Sequence, residues 1–183
     1  MFKTCVLLGL ACILLQIRAD DDFGPGVWKV IFIEKCDQHS HKFIFDIKQK
    51  KINRTHDGFY GDLKLDELFD DSFGIRVDIC KHVDGGCKQY QVLSDDCFIN
   101  FVNKYAEENA KDALACAGVV PSEFPIKEGD YEIHNYVFDY SELPTDGWYG
   151  VFCAKAIVLK GTEEVGCVEV HVEFTKKEDD EDE

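Results

Sequence analysis

The stretch WYGVFCAKAIVLKGTEEVGCVEVHVEF, residues 148–174, indicates the fold of this chain most directly. Residues 148–159 form a β-branched and aromatic run, and the segment 160–162, Lys-Gly-Thr, is a turn signal. From residue 168 to 174 every second residue is apolar, and Glu169, His171 and Glu173 lie between them. This alternation predicts an antiparallel hairpin with one buried face and one solvated face.

Shorter strand patterns precede this hairpin. Residues 27–33 and 42–47 are rich in β-branched and aromatic side chains, and residues 63–66 and 75–79 alternate between apolar and charged. Residues 130–140 form a further strand-like run that is dense in aromatic side chains. The chain is therefore predicted to be mainly β.

One segment has helical spacing instead. Asp95 or Asp96 can cap a helix near residues 97–115, because apolar side chains recur there on one side and charged ones on the other. A helix of this kind inside a β protein is typically a lid or a wall. The side that carries the apolar residues comprises Phe98, Phe101, Val102, Tyr105, Ala106 and Asn109.

The two ends of the sequence have distinct compositions. Residues 1–19 combine Lys3, an apolar run and Ala19, which predicts a secretory signal peptide, with a membrane anchor as the alternative. Residues 20–175 contain no linker-like segment or repeat, so we predict a single domain. Residues 176–183 predict an acidic disordered tail, and a contact with Ca²⁺ or a basic partner is the alternative.

The cysteines fit a secreted protein. Of the nine, Cys5 and Cys12 belong to the predicted signal, and the odd number that remains allows up to three disulfides and one free thiol, in many pairings. No metal site is predicted, because the sequence has no C-x-x-C pair. Asn53 begins an Asn-Arg-Thr sequon and predicts a glycosylated surface position.

Charge and motifs restrict the function. The net charge of −16 disfavours nucleic acid as a partner. The sequence has no nucleophile elbow, zinc-protease motif or phosphate loop, so we predict no catalytic residues. The histidines at positions 39, 41 and 56 lie in polar segments, where solvated side chains are the usual finding.

Three motifs occur in a fixed order in the second half of the chain. Cys80 and Cys87 enclose an Asp-Gly-Gly turn, residues 125–131 read PIKEGDY, and residues 142–144 read ELP before a hairpin with Gly166-Cys167. This order resembles the ganglioside GM-two activator family, whose members are lipid-binding β-cups. The resemblance covers the C-terminal half well, and the N-terminal half only in its early cysteine and strand character.

The resemblance implies a two-sheet β-cup or sandwich with an apolar cavity. It also implies the disulfides Cys36–Cys167, Cys80–Cys87 and Cys97–Cys116. Cys153 has no counterpart in the family, and we predict a buried, inert thiol there, with an intermolecular disulfide as the alternative. The candidates for the lipid cavity are Phe98, Phe101, Tyr131, Ile133, Tyr136, Phe138, Trp148, Tyr149 and Phe152, each of which can instead belong to an ordinary core.

The function implied by the resemblance is lipid binding and transfer outside the cytosol. A secreted or lysosomal protein of this kind takes a glycolipid or phospholipid from a membrane surface and presents it to a hydrolase or receptor, without enzymatic activity or a cofactor of its own. The alternative is a secreted accessory or co-receptor protein without transfer activity. One departure concerns the family's tryptophan after Leu-Pro, because Asp146 stands at that position and Trp148 follows it.

Overall fold

The computed structural model describes residues 22–36, 42–51 and 57–177. The predicted signal peptide, the sequon at Asn53 and the acidic run 178–183 lie outside these residues. The described chain is mainly β, as predicted, with two sheets and two short helices. Its elements are β1 (Phe23–Lys35), β2 (Phe43–Lys51), β3 (Asp57–Leu65), β4 (Phe73–Val83), β5 (Gly86–Asp95), α1 (Phe98–Tyr105), α2 (Glu107–Cys116), β6 (Gly129–Tyr136), a 3-10 turn (Tyr140–Glu142), β7 (Asp146–Trp148), β8 (Gly150–Lys160) and β9 (Glu163–Lys176).

The larger sheet has six antiparallel strands in the order β5-β4-β8-β9-β1-β7. Its β8–β9 hairpin is the predicted one: Lys160 pairs with Glu163, and Gly161 has a φ of +60°, as a two-residue turn requires. β9 also pairs with β1, so the first and last described strands are neighbours in the middle of the sheet. The smaller sheet has the order β2-β3-β6.

The two sheets pack tightly at one end of the sandwich. Phe43 and Phe73 are almost completely buried there, with ring centroids 5.1 Å apart, and Phe69 packs edge-on against both. Gly166 of β9 allows the sheets to approach closely, since a Cβ at this position would lie 2.6 Å from the ring of Phe45.

Two elements differ from the sequence prediction. β5 was not predicted, because it is an exposed edge strand in which polar residues occupy both faces. The predicted single helix is two helices, because Ala106 has φ −161° and ψ 44°, outside the helical region, and the N–H groups of Glu108 and Asn109 donate to Glu142. Asp95 accepts a hydrogen bond from the backbone N–H of Cys97 at 2.9 Å, which agrees with the predicted start of the helical segment. None of the helices in the described part is long and apolar enough to cross a membrane.

The structure forms two of the three disulfides implied by the resemblance. Cys36–Cys167 and Cys80–Cys87 are bonded, whereas Cys97 and Cys116 are free thiols, so the third pairing is wrong for this structure. Cys116 packs against the cluster around Ile133, while Cys97 begins α1 beside Phe98 at the packed end. Cys153 is a free, buried thiol, as predicted.

Candidate functional site

An apolar cavity of about 260 Å³ lies between the two sheets, beyond the packed end. β1 and β9 form one wall, β2, β3 and β6 form the other, and α2 with residues 138–143 covers one side. The lining residues are Trp28, Val30, Ile33, Ile47, Phe59, Ala113, Ile133, Tyr136, Phe138, Tyr140, Leu143, Val170 and Val172.

Strand alternation places the β9 residues in this wall. Val170 and Val172 point into the cavity, so Glu169 and His171 between them face the other side of the larger sheet. Val30 of β1 pairs with Val172 and is buried. The apolar wall is therefore a direct result of the pattern that predicts the terminal hairpin.

A bulge in β6 brings two further side chains into the cavity. Ile133 and Tyr136 are three residues apart, a spacing that would normally place them on opposite faces of a strand. The pairing with β3 shifts between Phe59 and Gly61, and Asn135 has a φ of 52°, in the left-handed region that asparagine tolerates better than most residues. The extra residue turns Tyr136 inward, so both side chains line the cavity.

A second bulge, in β1, shapes the rim. The pairing with β9 shifts between Val30 and Phe32, which takes backbone groups of Val30 out of the regular ladder. The N–H of Val30 donates to the hydroxyl oxygen of Tyr140 at 3.4 Å, and its carbonyl accepts from the Gln49 amide at 3.2 Å. These contacts fasten β1 to both the smaller sheet and the 3-10 turn.

A buried asparagine connects α2 to the segment that covers the cavity. Asn109 is 4 % exposed, and its side-chain oxygen accepts from the Tyr136 hydroxyl at 2.5 Å and from the N–H of Asp139 at 2.7 Å. Its side-chain nitrogen donates to the carbonyl of Asp139 at 2.9 Å and to the carboxylate of Glu142. This set of bonds, called the Asn109 network below, fixes the position of the covering segment.

Glu142 has a second role in the same place. Its carboxylate accepts hydrogen bonds from the backbone N–H groups of Glu108 and Asn109, both at 3.0 Å, and thereby caps the N-terminus of α2. Burial, followed by the negative charges of Asp112 and Glu142, raises the pKa of the Tyr136 hydroxyl. Tyr136 therefore remains a hydrogen-bond donor throughout the physiological pH range.

The cavity is open on one side. Trp28, Ile33, Phe138 and Leu143 line it but are only half-buried, so part of the apolar wall is accessible from solvent. At the rim, the Trp28 indole N–H donates to the carbonyl of Pro144 at 2.8 Å. A ligand can therefore reach the cavity without passing through a packed core.

An ion pair bridges the two sheets beside the cavity wall. Lys35 of β1 lies 2.8 Å from Asp46 of β2, and a hydrogen bond from Lys35 is the main reason that the pKa of Asp46 is below its usual 3.8. Hydrogen bonds from Ser72 and from Ser141 likewise lower the pKa values of Asp70 and Asp139. All three carboxylates favour the folded state when they are ionised.

These shifts predict how stability depends on pH. A carboxylate with a lowered pKa stabilises the fold above its unfolded pKa of about 3.9, and this contribution is lost as the pH falls through the folded pKa. The part of the unfolding free energy due to these groups should be constant from about pH 7 to 5 and fall below about pH 4. Urea unfolding of the wild type and of Asp46→Asn across this range checks it, since the variant should lose less stability on acidification. An equal loss would contradict the assignment to Asp46.

The structure brings together three of the nine predicted cavity residues, namely Ile133, Tyr136 and Phe138. The other six do not line this cavity. Phe98 and Tyr131 pack at the packed end of the sandwich, and Phe101 contacts Tyr105 in a tilted arrangement with ring centroids 4.8 Å apart.

The remaining three lie on or next to β7 and β8 of the larger sheet. Phe152 is buried against Trp28, and Tyr149 stacks on Phe174 and donates to the carbonyl of Pro25 at 2.9 Å. Trp148 is 42 % exposed and packs edge-on against Phe23, so it belongs to neither the core nor the cavity lining.

The sequence prediction did not name several residues that line the cavity, although the residue pattern indicates an inward position for some of them. Val170 and Val172 belong to the clearest alternating strand, whose inner face must cover something apolar. Ala113 and Leu143 carry no comparable signal, because their position depends on how α2 and the covering segment dock.

A scan of the chain against protein-family models gives no match, and a search among curated proteins gives none either.

Proposed function

We propose that this protein is a secreted lipid-binding and lipid-transfer protein that holds an acyl chain of a glycolipid or phospholipid between its two sheets. The observation that carries the proposal is the apolar, half-open cavity of about 260 Å³. Transfer of a hydrocarbon chain from water into such a site is favourable at roughly 0.8 kcal/mol per buried methylene group. The charged head group then stays at the rim, where a hydrolase or receptor can reach it.

The size of the cavity limits the ligand. Pockets for small molecules usually measure about 300–1,000 Å³, so a cavity of about 260 Å³ suits part of one acyl chain rather than a whole two-chain lipid. A larger lipid requires the covering segment to move away from β1. A second cleft, of about 220 Å³ beside the helices, is less suitable because Glu107 and Lys111 line it.

An exposed aromatic pair supports contact with a membrane surface. Phe23 and Trp148 are 49 % and 42 % exposed, and the Lys81 ammonium lies 5.8 Å from the centre of the Trp148 ring. Aromatic side chains next to a cation are typical of protein surfaces that touch the interface of a bilayer. We assign Trp148 to this contact rather than to ligand binding.

The proposal also concerns the cellular compartment in which the protein acts. The two disulfides fit an oxidising environment and are compatible with a secreted protein. Delivery to the lysosome would bring the acidic surface to a lower pH, where it loses negative charge and approaches anionic vesicles more easily.

The direct test is to look for bound lipid. The protein is purified from a eukaryotic secretory host and examined by native mass spectrometry, and transfer of a fluorescent phospholipid between vesicles is measured at about pH 5 and pH 7. Co-purifying lipid together with transfer supports the proposal. Binding without transfer favours the accessory or co-receptor alternative, and the absence of both overturns the lipid-binding function.

A cavity-filling variant identifies the site. Ala113→Trp, on the α2 wall, should weaken the binding of a fluorescent fatty acid at least about tenfold, because the indole displaces ligand from the cavity and the loss of even roughly two buried methylene groups costs about 1.6 kcal/mol. The matched control is Ala115→Trp, which adds the same side chain at an exposed position of the same helix. Val170→Phe repeats the test from the opposite wall. If the wild type and all three variants bound the fatty acid with equal affinity, the binding site would have to lie outside this cavity.

A further inference from the structure

A cluster of three different metal-ligating side chains lies on the outer face of the larger sheet, away from the cavity. Cys153 of β8 pairs with His171 of β9, and Glu169 precedes His171 by two residues on the same face. The Cys153 thiol donates to a Glu169 carboxylate oxygen at 2.9 Å, and His171 Nε2 lies 3.2 Å from that oxygen. One ligand atom from each residue falls within 4.8 Å of the others.

A fourth ligand is available from the neighbouring strand. Glu34 of β1 pairs with Glu169, and its carboxylate oxygen lies 3.2 Å from His171 Nε2. The four side chains thus come from three adjacent strands. The ligand atoms of Cys153, Glu169 and His171 lie within 4.8 Å of one another, and Glu34 joins them through its contact with His171.

The surroundings hold these groups in place. Cys153 is 7 % exposed and the His171 side chain 12 % exposed, while Glu34, at 53 %, leaves an approach from solvent. Phe32 stacks on the His171 ring at a centroid distance of 3.9 Å and restricts its rotation. A partly buried site with one open side is suited to capturing an ion.

Without a cation, the carboxylates of Glu169 and Glu34 give the cluster a net negative charge. A divalent ion would stabilise the Cys153 thiolate and both carboxylates together. Binding releases the thiol proton to solvent, so the formal charge of the four ligands and the ion is one unit less negative than that of the empty cluster.

We propose that Cys153, Glu169, His171 and Glu34 bind a divalent cation of the zinc type in a four-coordinate site. Thiolate, imidazole and carboxylate are the ligands of zinc in proteins, with bond lengths of about 2.0–2.3 Å. Tetrahedral coordination at these lengths separates ligand atoms by about 3.5 Å. The Cys153–Glu169 and His171–Glu169 separations of 2.9 and 3.2 Å need to open by only a few tenths of an ångström, while the exposed Glu34 carboxylate has to turn toward the other three ligands.

A catalytic cysteine is the competing interpretation of the same residues. A nucleophilic cysteine needs the histidine next to its sulfur and the carboxylate behind the histidine. Here the thiol donates a hydrogen bond to Glu169 rather than to His171. The geometry therefore suits metal binding better than nucleophilic attack.

The chain contains its own control for this proposal. Glu132 and His134 of β6 repeat the Glu-x-His pattern of Glu169 and His171, but both are more than 60 % exposed and no cysteine pairs with them. If a Glu-x-His pair alone were enough to bind metal, the Glu132–His134 pair would bind it as the Glu169–His171 pair does.

The experiment uses the tag-free full chain with its disulfides intact, after treatment with a chelator. Co²⁺ is titrated in a Cys97→Ser/Cys116→Ser background, so that Cys153 is the remaining free thiol among the described residues. One equivalent should bind and give a near-ultraviolet thiolate-to-cobalt band that Zn²⁺ abolishes.

Variants then locate the ion. Cys153→Ser should remove the thiolate band, and His171→Ala and Glu169→Gln should each weaken binding at least about tenfold, since loss of a direct ligand costs no less than loss of a supporting partner. His134→Ala should leave binding unchanged. Zn²⁺ should raise the unfolding midpoint of the parent background but not of His171→Ala.

Two results would overturn the metal site. One is the absence of stoichiometric Co²⁺ and Zn²⁺ binding to the parent protein, and the other is binding that survives in both Glu169→Gln and His171→Ala. Neither result bears on lipid binding, because the cluster and the cavity lie on opposite faces of the sheet.

Discussion

Replacing both Cys36 and Cys167 by serine is expected to lower the free energy of unfolding by about 4–5 kcal/mol. This disulfide joins residues 131 positions apart, so in the unfolded chain it closes a long loop and removes much conformational freedom. The native hydrogen bonds between β1 and β9 remain, and the variant should therefore keep its β circular-dichroism spectrum while unfolding at lower urea concentration.

The matched comparison is the Cys80→Ser/Cys87→Ser variant. That disulfide joins residues only 7 positions apart, within the β4–β5 hairpin, and its loss should cost about 2 kcal/mol. Equal losses in the two variants would show that loop length is not the source of the stabilisation.

The Asn109→Ala variant is expected to lose about 2–4 kcal/mol of stability. The substitution leaves the Tyr136 hydroxyl and the N–H of Asp139 without their acceptor, in a place where water has little access. Thermal and urea unfolding measure the loss. Asn100→Ala, an exposed position on α1, serves as the control and should change stability by less than about 0.5 kcal/mol.

Loss of the Asn109 network should also affect the ligand. Residues 138–143 supply three side chains to the cavity wall, and the network holds them against α2. The Asn109→Ala protein should bind the fluorescent fatty acid more weakly even under conditions where it is fully folded. Unchanged affinity in the folded variant would show that other contacts, such as that of Trp28 with Pro144, position the covering segment.

The β character and the terminal hairpin could be predicted from sequence because a half-buried strand leaves a period of two in the residue pattern. β5 could not be predicted in this way, because it lies at a sheet edge with both faces exposed. The break between α1 and α2 could not be predicted either, because Ala106 is neither glycine nor proline. It accompanies a cap supplied by Glu142, more than thirty residues further along the chain.

Sequence reasoning named residues of this cavity only along one strand. Ile133, Tyr136 and Phe138 follow one another along β6 and its extension, so assigning that strand to the cavity brings in all three. The other residues predicted to line the cavity are equally aromatic. Only the docking of the sheets decides that Phe98 lies at the packed end while Trp148 faces solvent.

The metal-ligating cluster on the outer face of the larger sheet could not be predicted from the sequence, for a related reason. Its ligands come from three strands and are brought together by the registers β1–β9 and β8–β9, which no local pattern encodes. Asn109 is a different case, since it lies on the apolar side of the helical segment. A polar residue in such a position indicates a buried hydrogen-bonding role.

The pairing of β1 with β9 has a consequence for biosynthesis. Among the described strands β1 is synthesised first, and its partner β9 is synthesised last. Until β9 has been made, Trp28, Val30 and Ile33 lack the strand that pairs with β1, and Cys36 lacks its disulfide partner Cys167. Mutations in β9 should therefore lower the yield of folded protein more than mutations in the edge strand β5.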